Sequence, residues 1–120
     1  MKLILRPIAL GIIVILLSTA PVLAQAPAQQ QQPEFVKQGQ QLMREGKPEE
    51  ALALYRQTLQ TSPNSVPANL AAGSVLDIMG SEEAREYFTK AIDVADTPEH
   101  KAGARRVMAM SIGHENARRN

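Results

Sequence analysis

Cysteine is absent from the 120 residues of this chain. Its absence excludes a disulfide framework and an N-terminus lipidated on cysteine, so any folded body is held together by packing alone. Histidine is scarce too, with His100 and His114 standing 14 residues apart. Metal binding or general-base work needs a second ligand or an orienting carboxylate at helical spacing, and no such partner is evident for either ring. Alternating apolar and polar runs bounded by hairpin turns are also missing, and β-branched residues are scattered singly, which argues against a sheet. Neither a glycine-rich phosphate loop nor a nucleophile elbow around Ser18, Ser62, Ser65, Ser74, Ser81 or Ser111 is present. Glu82, Glu83 and Glu86 read as a solvated helix face rather than paired acids. The expectation is a protein that performs no catalysis and uses neither cofactor nor metal.

An excess of one charge is missing as well. The sequence has 13 basic and 12 acidic residues. Two of the basic ones, Lys2 and Arg6, lie in the first 24 residues, which contain no acid, so the remainder carries 11 basic against 12 acidic. That balance gives no electrostatic reason to expect nucleic acid as a partner.

Lys2 and Arg6 precede an apolar stretch from Ile8 to Leu17, followed by small residues through Ala20 and then Pro21, Val22, Leu23 and Ala24. This is the order of a secretory signal peptide, with Val22 and Ala24 where a signal peptidase reads. Residues 1–24 are therefore expected to be removed after Ala24, and the product to be periplasmic or secreted. The competing expectation is a membrane-tethered subunit in which Ile8 to Leu23 stays in place, although a crossing needs about 20 apolar residues. Residues 25–33, QAPAQQQQP, offer nothing larger than alanine to bury and are expected to act as a flexible linker.

From Glu34 onward apolar residues recur at helical spacing. Phe35, Gly39, Leu42 and Met43 share one face of a first helix, which Gly46 and Pro48 separate from the next. Ala51, Leu52, Tyr55 and Leu59 line a second helix from about Pro48 to Thr61. A third runs from about Val66 to Met79 with Leu70, Gly73, Leu76 and Ile78, ending at Gly80. Ser81 is the expected N-cap of a fourth, whose stripe is Ala84, Tyr87, Phe88, Ala91, Ile92 and Ala95. Thr97 and Pro98 open a fifth, expected to reach about Ile112 with Ala104, Val107, Met108 and Ile112 inward. Residues 113–120 read as a polar basic tail. The fold class is all-α: five antiparallel helices over residues 34–112.

Gly39 to Gly73 is a step of 34 residues, and Leu42 to Leu76 and Gly46 to Gly80 repeat it. With Ala51, Tyr55 and Pro63, these residues resemble the tetratricopeptide repeat (TPR), a helix-turn-helix unit of about 34 residues that stacks into an α-solenoid. The resemblance covers about two and a half units. It departs from the family pattern at Asn69, where a large residue is usual, and at Thr58, where alanine is usual. The second unit is one residue short between Gly80 and Ala84, and residues 113–120 offer no amphipathic second helix for a third. The fifth helix is then either a terminal cap or the opening of further repeats in a longer envelope protein. In the second case the segment would be the accessory N-terminal part of a longer envelope enzyme or assembly factor.

The resemblance implies a groove lined by the first helix of each unit and used to hold a protein or peptide. Carried over by position, the lining residues are Val36, Gln40, Met43 and Arg44, then Ser74, Asp77 and Ile78, then Arg106 and Met110. Val36, Gln40 and Ala71 stand where the carboxylate-clamp subclass has lysine, asparagine or arginine, so that subclass is not expected. Val107, Met108 and Ile112 are a face through which the terminal helix could pair with another copy. The implied function is an exported scaffold for protein interaction.

Overall fold

Local punctuation sets the helices. The computed structural model describes residues 32–120, where five helices follow one another: α1 (Glu34–Arg44), α2 (Pro48–Thr61), α3 (Val66–Ile78), α4 (Ala84–Val94) and α5 (Pro98–Arg119). No strand occurs among the described residues. The expected signal peptide and most of the linker lie outside them.

Two of the helix ends are built alike. After α1, Gly46 has φ 75°, its N–H donates to the Met43 carbonyl at 3.1 Å, and the Lys47 N–H donates to the Leu42 carbonyl at 2.9 Å. After α3, Gly80 also has φ 75°, donating to Asp77 at 3.0 Å while Ser81 donates to Leu76 at 2.9 Å. This pair of bonds is the Schellman ending, which satisfies carbonyls that the helix leaves unpaired and needs a left-handed residue at its centre. Each ending turns the chain straight back, so α1 with α2 and α3 with α4 form antiparallel hairpins.

Helix starts are equally local. Ser65 accepts from the Ala68 N–H at 3.2 Å to cap α3, and Thr97 accepts from the His100 N–H at 3.1 Å to cap α5. Ser81 does not cap α4 as expected. Its hydroxyl accepts from the Glu83 N–H at 3.3 Å, but residues 82–83 form a tight turn and α4 begins at Ala84. The missing residue between Gly80 and Ala84 draws the entry into i→i+3 bonds, such as Glu86 N–H to the Glu83 carbonyl at 3.1 Å.

The core is one cluster containing Leu52, Tyr55, Val75, Leu76 and Phe88 among buried alanines. Tyr55 and Phe88 are buried to 2% and 1% exposure, and each side chain so removed from water contributes about 1.5–3 kcal/mol. Both sit in glycine seats. Tyr55 lies against Gly39 and Phe88 against Gly73, where a side chain on either glycine would overlap the ring. Phe35 meets Tyr55 edge-on, with ring centroids 6.3 Å apart.

The departures at Thr58 and Asn69 are accommodated. Thr58 Oγ1 donates to the Leu54 carbonyl at 3.0 Å, inside its own helix. Asn69 is buried, and its Nδ2 donates to the Pro63 and Ser65 carbonyls at 3.1 and 2.8 Å. A polar side chain thus closes the α2–α3 connection that a larger apolar one would only cover.

The expected end of the fifth helix is corrected. α5 continues through residues 113–119 to Arg119, and this last stretch is held by charges on the second hairpin. Arg85 Nη2 lies 2.6 Å from Glu115 Oε2, and Arg118 Nη2 lies 3.6 Å from Asp77 Oδ1. Arg119 pairs with the other oxygen of Glu115. The basic residues of the expected tail are therefore engaged within the chain. Val107 and Met108 are partly buried and pack against the core.

Candidate functional site

α1 and α3 lie side by side as the first helices of their hairpins, and a groove of about 670 Å³ opens along them. Val36, Gln40, Met43 and Arg44 line it from α1, and Pro67, Leu70, Ala71, Ser74, Val75 and Ile78 from α3. Gln32 and Pro33 close the end near the start of α1. Val107 is the contribution of α5, and Tyr55 of α2 reaches the floor.

Six of the nine residues expected at the groove, Val36, Gln40, Met43, Arg44, Ser74 and Ile78, are brought together there. Asp77 is not. It lines a separate cavity with Arg85, Glu115 and Arg118, where it pairs with Arg118. Arg106 and Met110 are exposed on α5 and do not line the groove. Arg106 and Met110 stand 33 residues after Gly73 and Asp77, neither of which lines the groove, whereas Val107 stands 33 residues after Ser74, which does. Leu70 was legible as the 34-residue image of Val36. Tyr55 belongs to a second helix, and no spacing within the first helices reveals that it reaches the groove floor.

The polar groups of the groove are mostly engaged. Ser74 Oγ donates to the Leu70 carbonyl at 2.8 Å, and the Tyr55 hydroxyl donates to the Val36 carbonyl at 3.4 Å, a long bond. Burial pushes the Tyr55 hydroxyl above its ordinary pKa by disfavouring the phenolate. Arg44 directs Nη2 and Nε to Gln41 Oε1 at 2.7 and 3.2 Å, and Gln41 Nε2 donates to Glu45 Oε1 at 2.8 Å. Ile78 stands 67% exposed at the end of α3, a large apolar side chain left open to water. No carboxylate or imidazole lines the groove among the described residues. The arrangement is suited to covering an apolar chain, and it offers no acid-base pair for moving a proton.

Titratable partners lie elsewhere. His100 Nδ1 is 2.7 Å from Asp96 Oδ1, four residues earlier, so this ring, expected to lack one, has a carboxylate partner at helical spacing. The hydrogen bond from His100 holds the Asp96 carboxyl below its usual value. Both side chains are exposed at the start of α5. Glu115 is also held low, chiefly by its hydrogen bond from Arg85. Among the described residues no group of three or more His, Asp or Glu side chains could hold a metal ion, and no helix is long and apolar enough to cross a membrane.

Comparison with protein-family models, with curated proteins and with solved structures found no match to this chain.

Proposed function

We propose that this chain is an exported, non-catalytic adaptor of tetratricopeptide-like build, and that it holds a segment of another protein in the groove between α1 and α3. The repeat reading is supported by paired features: two Schellman glycines, two glycine seats and two buried rings at equivalent places in the hairpins. The observation that carries the function is the groove itself, where the first helices of both hairpins present apolar side chains along one continuous surface. An apolar strip left facing water is a common mark of an interaction site. Export rests on the order of charged, apolar and small residues in positions 1–24.

Site-specific photo-crosslinking in the native cell tests the binding role. A crosslinker at Gln40 or Ile78 should give adducts whose mass spectra map to one segment of a second protein, while one at exposed Lys90 should not. Equal adducts at all three positions, or none, would reject the adaptor. N-terminal sequencing of the same material should begin at Gln25, and an intact Met1 would reject cleavage.

A further inference from the structure

We infer that the occupant of this groove is an apolar protein segment flanked at one end by acidic side chains, with a carboxylate received by Arg44. The inference rests on the groove being a binding site, and it specifies what the groove selects.

The argument starts from charge. Arg44 is the one charged side chain that lines the groove among the described residues. Arg56, Arg85, Arg118 and Arg119 each pair with a carboxylate of this chain. Arg44 instead meets a neutral oxygen of Gln41, which occupies Nε and Nη2. Gln41 is in turn fixed by Glu45, whose other oxygen lies 3.8 Å from Lys47 Nζ. This relay orients the guanidinium and neutralises none of its charge by direct contact, and Nη1 makes no hydrogen bond among the described residues. An oriented arginine loses less entropy when a carboxylate arrives, and its flat fork suits two-point contact.

Position supplies the rest. Arg44 ends α1 and Ile78 ends α3, so the charge and the most exposed apolar side chain of the groove mark equivalent places in the two helices. From Val36 to Arg44 the axial rise is about 12 Å at 1.5 Å per residue, a span matched by roughly four residues of extended chain. A ligand of that length would lay its apolar side chains over Val36, Met43 and Leu70, cover Ile78, and reach Arg44 with its acidic end. A basic flank would meet the uncompensated guanidinium and be repelled.

Bead libraries of random heptapeptides, acetylated and amidated so that only side chains carry charge, provide the test. The labelled chain from Gln25 to Asn120 should select beads with a short apolar run flanked by aspartate or glutamate, enriched roughly tenfold over the lysine and arginine equivalents. Arg44→Glu should reverse the preference. Ile78→Asp, with helicity checked by circular dichroism, should abolish selection. If apolar runs are selected without regard to charge, or Arg44→Glu leaves the preference unchanged, the acidic flank is overturned and the groove stands. A second library with free C-termini separates the sources of carboxylate, and enrichment confined to it would also overturn the side-chain assignment. No selection, or selection that Ile78→Asp does not alter, would overturn the groove reading itself.

Discussion

The edge of the Phe88 ring fills the space beside Gly73 so closely that a Cβ on residue 73 would lie 2.7 Å from Phe88 Cε1. Both residues are in the core, and the ring has no free volume to retreat into without moving its neighbours. Gly73→Ala is therefore expected to destabilise the fold by about 1–3 kcal/mol, the range for an overpacked core. Gly113→Ala should have the opposite sign. That helical position has nothing within 4 Å of a built Cβ, and replacing an exposed helical glycine by alanine gains up to about 1 kcal/mol. Thermal melts of the two variants beside the parent check the pair. Equal shifts in one direction would mean that Phe88 is not seated on Gly73.

A different kind of strain applies at Gly80. A Cβ there meets nothing within 4 Å, yet the backbone is left-handed at φ 75°. Gly80→Ala is expected to cost about 1–2 kcal/mol through backbone conformation alone, and Gly80→Asn less, since asparagine tolerates that region. Chemical denaturation of both variants checks the order.

These glycines show which part of the architecture is legible in the sequence. A residue that ends a helix, or that lets a ring approach, works over short range, and Gly39, Gly46, Gly73 and Gly80 mark both hairpins by spacing alone. Thr97 and Pro98 announce α5 for the same reason. The last turns of α5 were not legible, because what holds them is distant in sequence: Arg85 is 30 residues from Glu115, and Arg118 is 41 from Asp77. Asp77 was expected in the groove by position in the resembled repeat, but it pairs with Arg118 in a separate cavity. Val107 stands 33 residues after Ser74, whereas the expected Arg106 and Met110 stand 33 after Gly73 and Asp77, which lie outside the groove lining.

Those distant ion pairs make the end of α5 sensitive to acid. The folded-state pKa of Glu115 is depressed, first by the Arg85 hydrogen bond. A depressed carboxyl pKa gives stability that is present above the unfolded value, ordinarily about 4.3, and lost as pH falls through the folded value. Amide hydrogen exchange over residues 113–119 should therefore lose protection on acidification before the helices of the two hairpins do, when rates are corrected for intrinsic exchange. Glu115→Gln should lower that protection at neutral pH and flatten its acid dependence. An unchanged profile in the variant would mean that the Arg85 contact does not hold this end.

Tyr55 carries the opposite pH dependence. Its hydroxyl lies beneath the groove, against Gly39 and directed to the Val36 carbonyl, and burial raises its folded pKa. For an acid whose buried form is neutral, the folded state retains the proton longer than the unfolded state. Stability is then fully present below the unfolded value of about 10 and falls as pH rises towards the folded value. Tyr55→Phe removes the titrating group and one long hydrogen bond while keeping the ring in its seat, so at neutral pH the cost should stay near or below about 1 kcal/mol. Denaturation midpoints measured from neutral to strongly alkaline pH should fall less steeply in Tyr55→Phe than in the parent. Phenolate absorbance gives a second reading. Of the two tyrosines, Tyr87 is only partly buried, and its hydroxyl accepts a hydrogen bond from Arg56 Nε at 3.2 Å. The difference in phenolate absorbance between the parent and Tyr55→Phe isolates the Tyr55 signal, which should rise together with unfolding. Parallel slopes in the two proteins would place the Tyr55 hydroxyl in contact with water and remove the physical basis for its raised pKa.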